Sequence, residues 1–168
     1  MTSMVLDRRA VLVGLAAAAG STSEARAQTG PQRFSSVAVD VRPLHARGLG
    51  PYAELVRSAL QAELQAAYGE RLGGGRNAPR LVVRLDGISL RPYAGRSGGR
   101  SFGGGTDTDY LEGEALVVSP AGQILLRHHQ LSALPSNSGG AWYDPASEQR
   151  RVTALAAHYA GWLRRSPI

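Results

Sequence analysis

The 168-residue chain contains no cysteine and no lysine, and it has only two residues each of tryptophan, phenylalanine and methionine. The lack of cysteine excludes a disulfide framework, a thiolate metal site, a cysteine nucleophile and lipid attachment through a cysteine. The lack of lysine excludes a phosphate-binding P-loop, which requires that side chain. We predict neither a cofactor nor a bound metal.

The N-terminal segment has the order of a secretory signal: basic residues, an apolar run and a small-residue cleavage site. These parts are Arg8-Arg9, residues 10–20 and Ala25-Arg26-Ala27. The apolar run has 11 residues, whereas a membrane-spanning helix needs about 20. We therefore predict a cleaved signal peptide over residues 1–27, a periplasmic mature protein from Gln28, and no transmembrane anchor.

The arginine pair Arg8-Arg9, with Val11 and Leu12 soon after it, resembles a twin-arginine signal. The apolar run is rich in alanine and glycine rather than leucine, which favours the same route. The residue before the pair is Asp7 instead of the usual serine or threonine. The general secretory route therefore stays open.

All 19 basic residues are arginines, and they outnumber the 13 acidic residues to give a formal net charge of +6. Guanidinium groups are planar and bidentate, and they suit phosphates and carboxylates. No basic run is interleaved with aromatic residues, so nucleic acid is not a predicted partner. For an exported protein, anionic lipid or lipopolysaccharide is the more accessible polyanion.

Hydrophobic periodicity in the first half of the mature chain predicts a strand, a helix and a second strand. Residues 34–41 alternate as in a half-buried strand. Apolar residues over 52–72 follow helical spacing, and Gly73-Gly74-Gly75 ends that helix. The strand at 80–90 changes phase at Asp86-Gly87, so we expect a β-bulge there with the glycine in an unusual backbone conformation.

The second half of the chain predicts a β-hairpin. Ser119-Pro120-Ala121-Gly122 is typical of a tight turn between two strands. We expect Val118 to pair with Gln123, which fixes the remaining register. The expected cross-strand pairs are Ala115 with Leu126, Val117 with Ile124, Glu114 with Arg127, and Glu112 with His129.

Asp144 is expected to cap a last helix that begins at Pro145. The order of elements is then strand, helix, three strands and helix. It predicts an α+β fold, a two-layer sandwich with two helices on one face of a mostly antiparallel four-stranded sheet. We expect one such domain over residues 28–168, with a glycine-rich hairpin loop at 94–109.

The stretch GRSGGRSFGGGTDTD, residues 95–109, contains two overlapping matches to G-x-S-x-G, with Ser97 and Ser101 at the serine position. A serine nucleophile in that motif needs a strained turn from a strand into a helix. Here more glycine and another strand follow, so we predict a loop and a non-enzymatic protein. The alternative is a small exported hydrolase or metal-dependent enzyme that requires Ser97, Ser101, Asp107 or Asp109.

Two further features resemble metal sites without predicting one. The GGGTDTD segment is a single irregular copy of the glycine-aspartate calcium repeat, which binds calcium only in tandem. His128 and His129 are neighbours on a predicted strand and therefore point to opposite faces. We expect His128 on the apolar face near Gly113 and His129 among polar residues.

Arginines and a histidine recur every seven residues along the last helix. Arg151, His158 and Arg165 form one row, and Arg150 and Arg164 belong to another. We expect these rows to form a basic face opposite the apolar stripe. Such a face is either simply solvated or binds an acidic partner or an anionic glycolipid.

The order strand, helix, APRLVVRLDGISL, hairpin, GEALVVSPAGQILLRHHQLS, WYDP and a final helix ending LRRS resembles the LPS-assembly lipoprotein family (LptE-type). Several uncharacterised periplasmic lipoprotein families share this order. The resemblance implies two helices on a four-stranded sheet and a non-enzymatic protein that supports an outer-membrane β-barrel and contacts lipopolysaccharide. It would place that contact at residues 95–109, with Arg91, Arg96 and Arg100.

The sequence departs from this family at one position that matters for location. The family is anchored by a lipid on a cysteine just after its leader, whereas this chain has Ala27-Gln28 there. The leading hypothesis is thus an exported binding or assembly protein of the cell envelope, possible partners being an outer-membrane β-barrel or an anionic glycolipid. A structural domain with an unknown partner is the third alternative.

Overall fold

The computed structural model describes residues 32–92, 108–141 and 143–168. Its four strands are β1 (Val37–Asp40), β2 (Arg80–Ser89), β3 (Thr108–Val118) and β4 (Ile124–Pro135). They lie in the order β1-β2-β3-β4, with β1 parallel to β2 and the other two pairs antiparallel. The predicted α+β fold with a mostly antiparallel four-stranded sheet is therefore confirmed. The predicted signal peptide at 1–27 lies outside the described residues.

The described α-helices are α1 (Arg42–Ala46), α2 (Gly50–Tyr68) and α3 (Ser147–Arg165). The short α1 was not predicted; it has a proline in its first turn, where the missing N–H costs nothing. The predicted start of α3 at Pro145 is wrong by two residues. Asp144 instead closes a turn, its Oδ1 accepting a hydrogen bond from the Ala146 N–H at 2.8 Å.

Apolar side chains from one face of the sheet and from α2 and α3 form the core. On the sheet side, Leu81, Val83 and Leu85 of β2 are completely buried, because alternate residues of a strand point to the same face. The helices contribute buried residues at helical spacing: Val56, Leu60, Leu64, Leu155, Tyr159 and Leu163. Each such side chain contributes roughly 1.5–3 kcal/mol by burial. No helix in the described parts of the chain is long and apolar enough to cross a membrane.

The predicted bulge in β2 is present. Leu85 pairs with Gly113 and Gly87 pairs with Glu112, which leaves Asp86 as the extra residue. The expected unusual conformation of Gly87 is wrong, because its φ is not in the left-handed region. The bulge thus returns Ile88 to the core side without needing a glycine.

The predicted turn between β3 and β4 is confirmed, but the predicted register is wrong. The Gly122 N–H donates to the Ser119 carbonyl at 2.9 Å, and Gly122 has a φ of +84°. Because this glycine occupies the left-handed position, Ser119 rather than Val118 bonds to Gln123, with a 2.8 Å hydrogen bond. Leu125 is then an extra residue in β4.

The Ser119–Gln123 hydrogen bond and the extra residue Leu125 together give each β3 residue a different partner on β4 from the one expected. The observed pairs are Val118 with Ile124, Val117 with Leu126, Ala115 with His128, Glu114 with His129, and Glu112 with Leu131. Ile124 was expected on the covered face but is 43% exposed. His128 does lie on the same face as Ala115, toward the helices, although its partner is not Gly113.

Candidate functional site

A buried ion pair joins β3 to α3 at the end of the sheet where β3 begins. The side chains of Asp109 and Arg151 are 0% and 3% exposed. The Arg151 Nε donates to Asp109 Oδ2 at 2.6 Å, and its Nη2 donates to Oδ1. This two-point geometry is the strong form of an arginine–carboxylate contact.

The backbone of Arg91 completes this arrangement. Its N–H donates to Asp109 Oδ1 at 3.0 Å, and its carbonyl accepts from Arg151 Nη2 at 2.9 Å. Both carboxylate oxygens of Asp109 are thus used. The pair therefore connects three parts of the chain: the residues just after β2, the start of β3 and the start of α3.

A close contact between Gly139 and the first turns of α3 helps to hold Arg151 in place. A side chain at Gly139 would bring its Cβ within 2.5 Å of Arg151 Cγ and 2.3 Å of the Ser147 carbonyl oxygen. Only glycine allows this approach. Arg150 adds to the contact, because its Nε donates to the Gly139 carbonyl at 2.8 Å and its Nη2 pairs with Asp144 at 2.8 Å.

The prediction that Arg151 lies on an exposed basic face is wrong. Its position next to Val152 places it beside the apolar stripe, where Asp109 can pair with it inside the protein. Arg165, by contrast, is exposed, and His158 is half-buried. Seven residues of helix separate each of these from the next, a rise of about 10 Å. The three residues therefore do not form one site.

A cleft of about 510 Å³ lies beside the ion pair, between the start of α2, the residues after β2 and the start of α3. Arg91 is exposed at this cleft, and no described residue pairs with its guanidinium. Tyr52 also lines it, with a buried hydroxyl that has no hydrogen-bond partner among the described residues. Burial, together with the nearby Glu148 carboxylate, raises the pKa of Tyr52 to about 12. The hydroxyl is therefore protonated at neutral pH.

Several sequence-predicted residues lie outside the described parts of the chain, namely Arg96, Arg100, Ser97, Ser101 and Asp107. Asp109 is described, but its two oxygens are already bonded to Arg151 and Arg91. Within the described ranges, no group of three or more histidine, aspartate or glutamate side chains could hold a metal ion. The cleft residues Tyr52 and Glu148 were missed, because an amphipathic helix pattern does not show which of its polar residues faces a cavity.

A second buried carboxylate lies on the sheet face opposite the helices. Glu114 in β3 is 1% exposed, and three side chains from the flanking strands cover it. Arg84 Nη2 and Arg127 Nη1 approach its Oε2 at 3.0 and 3.2 Å, and His129 Nε2 lies 3.4 Å from Oε1. The two arginines are themselves 38% and 52% exposed.

No protein-family model matches this sequence, and no curated protein matches it either. Among solved structures, the chain is similar to a protein described as "a putative lipoprotein from Caulobacter crescentus CB15". The two chains are 16% identical, with a TM-score of 0.42, and the match covers 79% of this chain and 85% of the other. The function of this chain therefore has to be inferred from its own residues.

Proposed function

We propose that this protein is an exported, non-enzymatic binding protein of the cell envelope, and that it binds an anionic ligand at the Arg91 cleft. One observation carries this proposal: Arg91 presents at a cleft a guanidinium that no described residue pairs with, while its backbone is bonded to the buried Asp109–Arg151 pair. A positively charged group on a rigid base is favourable for binding, because little conformational freedom is lost.

The chemistry of the cleft favours a ligand with a phosphate or carboxylate beside a hydroxyl-rich or amine-bearing part. Arg91 supplies a fork of donors that matches either anion. The Tyr52 hydroxyl is a second donor, and the Glu148 carboxylate is an acceptor on the same wall. Lipopolysaccharide carries groups of all these kinds, and the excess of arginines over acidic residues favours its anionic surface.

The non-enzymatic part of the proposal is supported by the state of Asp109. A general base or calcium ligand needs a carboxylate that a substrate or an ion can reach, whereas Asp109 is 0% exposed and both of its oxygens accept hydrogen bonds from the protein. In its finer form, the proposal is that the protein assists lipopolysaccharide or outer-membrane assembly. The resemblance to the LptE-type family in the order of elements supports that form.

The binding role is tested by crosslinking the tagged mature protein in native cell envelopes and identifying the captured protein and lipid together. We expect lipopolysaccharide, with or without an outer-membrane β-barrel, and a strong loss of capture in Arg91→Ala. Arg80→Ala, which removes an exposed arginine of β2 remote from the cleft, is the matched control. Equal capture by both variants, or recovery of the protein without lipid, would refute the proposal.

Export is tested separately with residues 1–27 fused to a periplasmic reporter. We expect transport of the reporter, and its loss when Arg8 and Arg9 are both replaced by lysine if the twin-arginine route is used. Transport that survives the double replacement would assign the general secretory route. A reporter retained in the cytoplasm in both cases would remove the envelope role.

A further inference from the structure

In the part of the chain that the structure describes, nothing pairs with the outer edge of β4. β4 has 12 residues and is the last strand of the sheet, and among the described residues no further strand follows it. Long edge strands are usually shortened, covered or blocked by proline and charge, because their free N–H and C=O groups pair with other chains. Leu125 and Leu131 of β4 are instead 58% and 62% exposed.

The hydrogen bonding of the sheet identifies which residues of β4 point outward. The Leu81 N–H donates to the Ser36 carbonyl, so core-facing residues of β2 bond toward β1. Because backbone groups alternate between the two sides of a strand, core-facing residues of β3 then bond toward β4. The Ser119–Gln123 hydrogen bond agrees with this phase. The free groups of β4 are therefore those of Arg127, His129, Leu131 and Ala133.

A groove of about 550 Å³ runs beside this edge, between β4 and α3. His128 and Gln130 line it from the strand, and His158 and Trp162 line it from the helix. Trp162 is 52% exposed, although a large aromatic side chain normally gains much from burial. The groove thus offers an aromatic surface parallel to a free strand edge.

Two buried polar atoms at the groove lack partners among the described residues: Gln130 Oε1 and His158 Nδ1. The Trp162 Nε1–H donates to His158 Nε2 at 2.9 Å, so the neutral histidine ring carries its proton on Nδ1. The groove therefore holds one free donor and one free acceptor.

The charge around the groove defines the occupant further. Arg165 lies over the Trp162 ring at 4.6 Å, and no described carboxylate pairs with it. Arg127 and His129 lie on the opposite face of the same edge, where both contact Glu114 and remain 52% and 80% exposed. A second copy of the chain, paired antiparallel through β4, would bring a second set of the same basic residues to this edge, which is unfavourable.

We propose that an extended, acidic segment of another polypeptide adds to the outer edge of β4 as a fifth strand. Its backbone pairs with the free groups of Arg127, His129, Leu131 and Ala133. Alternate side chains then enter the groove over Trp162, while the intervening acidic side chains face Arg127 and His129. This is recognition by strand addition next to a helix. It goes beyond the proposed function and does not depend on the Arg91 cleft.

The test uses a fluorescein-labelled synthetic peptide in which glutamate alternates with phenylalanine and threonine, titrated with the full mature protein. We expect saturable binding in fluorescence anisotropy, and a loss of at least about tenfold in affinity when alternate peptide amides are N-methylated. N-methylation removes strand pairing and leaves charge and side chains unchanged. A peptide with lysine in place of glutamate is the charge control, and we expect it to bind at least about tenfold more weakly.

Protein variants locate the binding. Leu131→Pro removes an outward N–H and leaves the bonds to β3 intact, so it should keep the fold, checked by circular dichroism, and lose the peptide. Trp162→Ala should weaken binding, whereas Tyr110→Ala, which removes an exposed aromatic residue of β3, should not. No saturation up to about 1 mM, equal binding of the N-methylated peptide, or a dimer in sedimentation that Leu131→Pro dissociates would overturn the proposal.

Discussion

Asp109 and Glu114 are both buried carboxylates of β3, five residues apart, but their partners are arranged in opposite ways. Asp109 faces the helices and is held by one arginine that is itself buried. Glu114 faces away from the helices and is covered by two half-exposed arginines and a histidine. Removing Arg151, the charged partner of Asp109, leaves a charge inside the protein, whereas each partner of Glu114 can be replaced by another or by water.

The largest expected effect follows from removing Arg151. In Arg151→Met the Asp109 charge stays buried without its partner, and breaking a buried pair in this way costs about 3–5 kcal/mol. We expect a corresponding fall in the free energy of unfolding, measured by urea denaturation at neutral pH. Arg150→Met is the matched control. Arg150 is the neighbour of Arg151 and pairs with a half-exposed Asp144, so this substitution should lower the free energy of unfolding by about 1 kcal/mol or less. Equal losses in the two variants would contradict the buried role of Arg151.

The double replacement of Asp109 by leucine and Arg151 by methionine sharpens this result. An apolar pair of similar size in place of a buried ion pair is often neutral or even stabilising. The Arg91 N–H and carbonyl lose their partners, so we expect recovery of about half of the loss caused by Arg151→Met. A double variant less stable than Arg151→Met would mean that the carboxylate acts mainly through the backbone of Arg91.

Much of this fold could be predicted from the sequence, because alternating and helical patterns report directly on burial. The strands, the two long helices, the tight turn and the bulge at Asp86 follow from such patterns. The β3–β4 register could not be predicted in the same way, since it depends on one left-handed glycine and one extra residue, Leu125. Together they move each partner beyond Leu125 by two residues, as from Leu126 to His128 opposite Ala115. Because a two-residue shift keeps every side chain on its own face, the hydrophobic pattern does not distinguish the two registers.

The candidate site was less accessible to sequence reasoning than the fold. Arg151 and Asp109 were both recognised as residues of interest, but for separate reasons, and only the tertiary structure pairs them over 42 positions. An arginine adjacent to the apolar stripe, together with an aspartate at the start of a strand, is the pattern that could have indicated the pair. The periodicity of an isolated helix cannot distinguish a solvated arginine from one that finds a buried partner.

Smaller effects are expected around Glu114. Arg84→Ala and Arg127→Ala should each cost about 0.2–1 kcal/mol, because the remaining arginine and His129 still cover the carboxylate. The double variant should cost more than the sum of the two, since it leaves only the histidine. The measurement is thermal unfolding of the wild type, the two single variants and the double variant in low and in high salt. The stability difference between the wild type and each variant should be smaller in high salt. Strict additivity would indicate that the two arginines act independently of Glu114.

The smallest effect is expected at the half-buried carboxylate of Asp40, whose partner Arg42 is 87% exposed. The hydrogen bond from Arg42 lowers the pKa of Asp40 below its ordinary value of 3.8. The ionised form is thus stabilised by folding, so this contribution is complete above about pH 5 and disappears as the pH falls through the lowered pKa. We expect Asp40→Asn to be slightly less stable than wild type at neutral pH, within the range of about 0–1 kcal/mol typical of exposed pairs. The difference between the two proteins should narrow when unfolding is measured near pH 3, and a difference that instead grew in acid would show that Asp40 is not stabilised by its charge.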